Sequence, residues 1–562
     1  MPSRKNERSS FLFIVISAAV LTVAFSIPFL LRSDLGLEHD TFFHLSRIEG
    51  LAQALKHHDF FPALYPFKNN GYGYASPLFY CDVLLYLPAF LYLHGLSLVR
   101  SYKLTVILMT FFAEVTMLKG TLRISKKRSS AFLGAAAYLF ANYHITDVYV
   151  RSALGEVAAL IFLPLLVESL YRILEEKDRY ASYPLCFALT GLLLSHNLSF
   201  LLGCVLSLLI VLSYLPSLRK EQFRQLFSAV FFAFLITAFF SFPLIEQLLS
   251  QPFIVGYYAG GDLSGSSMPL WKFFVNKTVF GLGDHSLAPE EAMLVNVGWF
   301  LTFFPFACLF LKKKERNGFI FRLFLFGIVF LLLPGDWIPW QKLGIFAILQ
   351  FPWRLEMLAL VLLSYVSAYA ADRLFVKKEM VTFILIVLLA LEGAYHLYPC
   401  AQRTFTLKEE DTYEDIISGK IIDPYYSAFY KRVELAGGDY LPLQSPDFRD
   451  RGTAIRDNWG NELSIPYERD YRTLTFTLDG ESGRTLILPL TYYKGYRVTY
   501  DNGSAKVPME ITPVDGMVAF YAAGDGLYTV RFASTPLRTL SLFISMFSLL
   551  IGTIFFLQRK KR

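Results

Sequence analysis

Leu37-Glu-His-Asp-Thr-Phe-Phe-His-Leu-Ser-Arg47 follows closely on the first long apolar segment of the chain. Glu38, His39 and Asp40 stand together where a membrane helix has just left lipid. With a helix starting near Asp40, His44 at i+4 and Arg47 at i+7 project from the same face as Asp40. A carboxylate, an imidazole and a guanidinium then share one small volume at a membrane surface. That arrangement suits proton abstraction beside an anionic phosphate. The alternative is a polar helix start, with Asp40 as N-cap and the other side chains solvated.

Outward from this stretch the chain is apolar: 54% hydrophobic and 17% aromatic against 18% charged over 562 residues, with mean hydropathy +0.43. Soluble chains carry about a quarter charged residues, and several segments here approach the ~20 apolar residues that cross a bilayer. A polytopic α-helical membrane protein is expected. The formal charge of +7 sits in short runs: Arg4-Lys5, Lys126 to Arg128, Arg219-Lys220, Lys312 to Arg316, Lys377-Lys378 and Arg559 to Arg562. Each flanks an apolar segment, which the positive-inside rule explains and a nucleic-acid partner does not. The cysteines (Cys81, Cys186, Cys204, Cys308, Cys400) show neither disulfide nor metal-ligand spacing and read as packing residues.

Phe11 to Leu31 reads as a retained first span running from inside to outside. Residues 32–100 form a long first outer loop. In it Phe42, Leu45, Ile48, Leu51, Ala52 and Leu55 recur at helical spacing, predicting an amphipathic helix lying in the interface. Ser76 to Leu96 is apolar but holds Asp82, Pro77 and Pro88. If it does not cross, the remaining spans fall near 101–121, 131–147, 157–174, 182–196, 199–216, 226–247, 292–311, 318–333, 354–372, 379–397 and 537–557. With the first, these make about twelve transmembrane helices, and every basic run lands inside. Ser76 to Leu96 is therefore read as a re-entrant or interfacial hairpin. Both termini are placed in the cytoplasm of a multi-pass chain in the cell membrane.

The outer face then collects a particular set of residues. After span three come His144, Asp147, Arg151 and Glu156; between spans five and six, Ser195-His196-Asn197. The loop from Gln251 to Ala292 holds Tyr257, Tyr258, Asp262, Trp271, Lys272, Asp284 and His285, and Gln350-Phe-Pro-Trp-Arg354 precedes span ten. Ionisable groups at membrane depth cost roughly 2.5–3.5 kcal/mol each, so an outward-facing polar cavity is expected; helix capping and interfacial anchoring are the plainer reading of any single one. Residues 398–535 are polar. From Tyr471 they alternate like strands between Asp479-Gly480, Asp501-Asn502-Gly503, Asp515-Gly516 and Gly524-Asp525-Gly526. That predicts an extracytoplasmic antiparallel β-sandwich, with residues 536–562 as a last span and basic tail. The domains are thus a membrane module over 1–397, a β-rich domain over 398–535 and the closing segment. The chain has no Walker A loop, HExxH or Gly-x-Ser-x-Gly, and no soluble nucleotide-sugar domain.

A first span, a long outer loop opening on acidic residues, an amphipathic helix and many further spans resemble the GT-C membrane glycosyltransferases. Glu38 to Arg47, Gly71-Tyr-Gly-Tyr-Ala-Ser-Pro-Leu-Phe-Tyr80, Ser195-His-Asn197 and Phe351-Pro-Trp-Arg354 more closely resemble bacterial YfhO-type proteins. They are equally similar to membrane proteins labelled 6-pyruvoyl-tetrahydropterin-synthase-related. Leu488 to Asp501 with Val518 to Phe532 is similar to the outer β-domain of that group. The resemblance implies transfer of a sugar from a polyprenyl-phosphate donor to a cell-envelope polymer or glycolipid acceptor at the outer face, with inversion. It implies an acidic residue of the first outer loop as base: Asp40, with Glu38 second, since His39 separates the usual adjacent pair. Some GT-C enzymes use a divalent cation and others none, so the metal is left unknown and no cofactor is assigned with certainty.

A sugar hydroxyl is a poor nucleophile, so a carboxylate must take its proton as the bond forms. The leaving phosphate calls for a guanidinium. Arg354, Arg151 and Arg47, with His196, are the candidate donor and phosphate ligands; His44, Tyr74, Asn197, Glu156 and Trp353 are candidate acceptor or substrate contacts. Trp353 and Tyr74 could stack on a sugar ring, but an interfacial aromatic belt is the plainer reading of both. Two rival readings are a flippase or transporter for a lipid-linked sugar, with Glu168 and Glu392 as its in-span carboxylates, and a non-catalytic cell-envelope scaffold.

Overall fold

The computed structural model describes residues 4–258, 263–281, 293–375, 378–404, 406–418, 438–448 and 451–560. Asp262, Asp284 and His285 lie outside them. The chain divides into two compact units, residues 1–45, 94–233 and 259–426, and residues 46–93, 234–258 and 427–562.

Among the described residues six helices are long and apolar enough to cross a membrane: Glu7–Phe25, Leu98–Ser125, Leu154–Leu174, Pro352–Leu374, Glu379–Ala401 and Pro536–Phe555. They correspond to six of the twelve expected spans. The other apolar windows form shorter pieces. Residues 131–147 break into Arg128–Leu139 and Asn142–Tyr149; Ser182–Ser195, Asn197–Ser213 and Gly318–Leu332 have 14, 17 and 15 residues. At 1.5 Å per residue these fall short of a hydrocarbon core about 30 Å thick. Lys220–Ile236 and Ala238–Leu248 count as a seventh span only if taken as one broken helix.

In the first unit the windows of Leu154–Leu174 and Pro352–Leu374 are 89% and 94% buried, against 28% for Glu7–Phe25 and Glu379–Ala401. The first two are therefore the core helices and the last two its apolar exterior. Small residues let the core close: a Cβ on Gly134 would stand 2.7 Å from the Ala368 Cβ. Where the chain leaves its first helices, β1 (Leu35–Gly36) pairs antiparallel with β2 (Thr406–Leu407), Leu35 opposite Leu407.

The second unit holds two antiparallel sheets. β3 (Ile455–Asp457), β4 (Glu462–Leu463), β7 (Arg484–Thr491) and β10 (Met517–Ala522) pair in the order β10-β7-β3-β4. The five-stranded sheet runs β5-β6-β11-β8-β9, with β5 Tyr467–Asp470, β6 Thr473–Leu478, β8 Tyr496–Asp501, β9 Lys506–Met509 and β11 Gly526–Phe532. Gly503 takes φ +84° in the β8–β9 hairpin, a conformation that glycine adopts without steric cost. The alternating Leu474, Phe476 and Leu478 point into one apolar core with Leu486, Leu488, Val530 and Phe532. Leu64, Ala75, Leu78 and Phe79 of the first outer loop and Phe253 complete that core.

The helix Thr41–Lys56 forms as its periodicity predicts, but every side chain from Thr41 to Ala52 is buried, the polar ones included. It is an internal helix rather than one floating in the interface. Its polar face meets partners: within the second unit Arg47 pairs with Asp82, and Lys68 with Glu49. Ser76 to Leu96 forms 3-10 turns and an eight-residue helix, Tyr86–Leu93, too short to cross.

Candidate active site

The Glu38–Asp40 segment is pinned on both sides, and each contact lies within the first unit. Before it, Arg32 grips the Asp34 carboxylate through two nitrogens at 2.7 Å and donates to the Ala401 carbonyl at 2.9 Å. Glu38 accepts from Arg403 Nε at 3.0 Å, and Arg403 stands 4.6 Å over the Phe280 ring. His39 Nε2 lies 2.9 Å from the Gly281 carbonyl oxygen, so that nitrogen carries the proton. Burial pushes its imidazole down to about 4, leaving it neutral near pH 7. The Asp40 N–H donates to the Arg151 carbonyl at 2.9 Å, and the Thr41 hydroxyl bonds the Ser152 hydroxyl at 3.0 Å.

Arg151 lies in the turn between Asn142–Tyr149 and Leu154–Leu174. Its Nη2 donates to Glu156 Oε1 at 2.8 Å, its Nη1 to Glu156 Oε2 at 2.9 Å and also to Asp147. Arg354 donates from Nε to the same Glu156 Oε1 at 3.0 Å, and from Nη1 to the Leu349 carbonyl at 3.0 Å and to the Gln350 side chain. Among the described residues its Nη2 has no hydrogen-bond partner. Trp353 is buried between the cations, with Arg151 4.6 Å from its ring centroid and Arg354 5.8 Å, and Phe351 stacks on it at 5.0 Å. Ser152 and Gln350 hold φ of 51° and 60°. A left-handed conformation outside glycine costs on the order of 1–3 kcal/mol and concentrates at functional sites.

Asp40 differs from its neighbours. Glu38, Asp147 and Glu156 each take an arginine, whereas the Asp40 carboxylate has no hydrogen-bond or ion-pair partner among the described residues. The residue is half-buried. Burial pushes its carboxyl up to about 6; Arg151 and Arg354 pull the other way, and Glu156 adds a push. A carboxylate that is unpaired among the described residues and titrates near 6 is equipped to accept a proton.

Of the sequence-predicted residues, Asp40, Glu38, Arg151, Arg354, Glu156 and Trp353 come together here. His196 caps the helix Asn197–Ser213, accepting from the Ser199 N–H at 3.3 Å. Asn197 opens that helix, and His44 is buried beside the Phe43 ring. Arg47 and Tyr74 belong to the second unit. Arg47 donates to Asp82 Oδ1 at 3.0 Å and to the Tyr80 and Cys81 carbonyls; the Tyr74 hydroxyl accepts from the Tyr440 N–H at 3.2 Å. Arg403 and Ser152 escape sequence reasoning. Arg403 acquires its place through a two-residue strand pair, below the length at which alternation can be read.

Among the described residues no group of three or more His, Cys, Asp or Glu side chains is placed to hold a metal ion. No family model matches the chain. An uncharacterized protein of Lactococcus lactis subsp. cremoris (strain MG1363) is 22% identical over 355 residues, 60% of this chain and 55% of the relative, so the chain spans about half that relative's length. Among solved structures, the chain is similar to the mycobacterial arabinofuranosyltransferase AftD at TM-score 0.44 and 14% identity, covering 71% of this chain and 27% of that one. A mutant of the same enzyme gives TM-score 0.42 and 14% identity, with 81% and 31% covered.

Proposed function

We propose that this chain is a GT-C type membrane glycosyltransferase that moves a sugar from a polyprenyl-phosphate donor to a cell-envelope acceptor. The observation that carries the reading is the unpaired Asp40 carboxylate beside the Arg151–Glu156–Arg354 array. Asp40 takes the proton of the acceptor hydroxyl as that oxygen bonds the anomeric carbon. The bond from the anomeric carbon to the phosphate oxygen breaks, and the electron pair leaves with the polyprenyl phosphate. Arg354, held by Glu156, Leu349 and Gln350, turns its remaining Nη2 toward that developing charge. A single displacement with one base inverts the anomeric centre. The reaction belongs to the outer face of the cell membrane, with both termini cytoplasmic and the β-rich region outside. Trp353 orders the two guanidiniums rather than stacking on a sugar, and Arg47 serves the second unit.

The two in-span carboxylates singled out for a transporter are already engaged: Glu168 accepts from Arg123 at 2.9 Å and forms an ion pair with Lys119 at 3.1 Å, and Glu392 accepts from Asn276 at 3.0 Å and the Trp299 N–H at 2.7 Å. The test is the purified protein in lipid with a panel of polyprenyl-phosphate sugars, following polyprenyl phosphate release, wild type beside Asp40→Asn. Release by wild type alone supports the reaction and the base. No release from any donor, with the fold intact and an acceptor-rich membrane extract present, rejects the reading in favour of a flippase.

A further inference from the structure

GT-C-like chemistry leaves open whether a divalent cation sits beside the acidic loop, and the residues around Asp40 answer on their own chemistry. Hard divalent cations take six or more oxygen ligands, of which several are carboxylates when the protein supplies the site. Among the described residues, the three other carboxylates of this arginine array are each engaged by a guanidinium. Arg403 holds Glu38, Arg151 and Arg354 together hold Glu156, and Arg151 holds Asp147. The charges that bear on Asp40 itself are two guanidiniums against one carboxylate. With the Asp40 carboxylate itself counted these charges cancel, so they leave no surplus negative charge to draw a dication into the recess.

We propose that the Asp40 recess works without a divalent cation, and that the Arg151–Glu156–Arg354 array is the built-in positive charge that takes a metal's place opposite the leaving phosphate. Glu156 bridges the two guanidiniums so that they sit close together without repelling apart. Gln350, in its left-handed backbone conformation, accepts from Arg354 Nη1, and Nη2 has no hydrogen-bond partner among the described residues. Arg403 completes the arrangement by removing Glu38 as a second ligand. The inference rests on the glycosyltransferase reading for the word leaving, but its physical claim concerns cation binding at Asp40.

The experiment therefore has two readouts. The full chain in lipid nanodiscs is stripped with EDTA and titrated with Mn2+, bound ion being counted by electron paramagnetic resonance, for wild type and Asp40→Asn. Expected is no Mn2+ whose binding depends on Asp40. One tightly bound Mn2+ per chain in wild type, lost in Asp40→Asn, overturns the inference whether or not transfer is seen. The second readout is polyprenyl phosphate release from a polyprenyl-phosphate sugar in EDTA, in Mg2+ and in Mn2+. The three rates are expected to agree within about twofold; arrest in EDTA with recovery on adding either ion overturns it. Failure of every donor under all three conditions strikes the glycosyltransferase reading, and the Mn2+ count still decides the cation question.

Discussion

Two buried arginine–carboxylate clusters, one in each unit, are closed in different ways. In the second unit Arg47 meets Asp82, the Tyr65 hydroxyl donates to the other Asp82 oxygen, and Arg47 also reaches the Tyr80 and Cys81 carbonyls while lying 4.1 Å over the Tyr80 ring. Both Asp82 oxygens are used. In the first unit three carboxylates are likewise matched to arginines, but among the described residues the Asp40 carboxylate, Asp147 Oδ2 and the Arg354 Nη2 have no hydrogen-bond partner. A saturated cluster contributes to stability and specificity of folding. A cluster that keeps an unpaired carboxylate and an unused donor serves something outside itself, and the strained Ser152 and Gln350 mark the same place.

The contrast breaks first at Asp40. Asp40→Asn is expected to lower kcat by about 10²–10⁴-fold with the thermal unfolding midpoint unchanged. Activity retained within tenfold would remove the base from this residue. Arg354→Ala should cost about 10²-fold in kcat, and Arg354→Lys should not restore it, because a point charge cannot hold Glu156 and Gln350 while donating to a phosphate. The closed cluster should answer with stability instead. Asp82→Ala leaves Arg47 buried without its counter-ion, an expected loss of about 3–5 kcal/mol read as a lowered unfolding midpoint, with kcat of the folded fraction nearly unchanged.

Two smaller effects sharpen the comparison. Asp40 accepts a proton only as the carboxylate, the form that prevails above its own titration near 6. kcat/KM should therefore fall with decreasing pH through about 6, by about tenfold at pH 5, and this limb should vanish from the residual rate of Asp40→Asn. Glu38→Gln is expected to change kcat by less than about threefold, since Arg403 already neutralises that carboxylate. A loss equal to that of Asp40→Asn would move the base two residues back.

Much of this was legible before any coordinates, and the parts that were not share a cause. Apolar windows located the six full-length spans, and alternation between turn dipeptides located strands β6, β7, β8 and β11, because both patterns are local. The length of each apolar helix is set where it packs, so Ser182–Ser195 and Asn197–Ser213 stop short at Ser195-His-Asn. Helical spacing put Asp40, His44 and Arg47 on one face, yet Arg47 answers to Asp82, 35 residues on. Arg403 stands 365 residues from Glu38. Charge pairing over such separations leaves no periodic trace.

The core of the β-rich region has a consequence in time as well as in space. Leu64, Ala75, Leu78 and Phe79 complete an interior whose other walls begin at Ile455 and end at Phe532. During synthesis at about 5–20 residues per second, these loop residues wait roughly 20–90 s for the strands that cover them. Through that interval Phe79 and its neighbours are an apolar surface without an owner. The earliest loop is therefore the part of the chain most exposed to slowed or truncated synthesis.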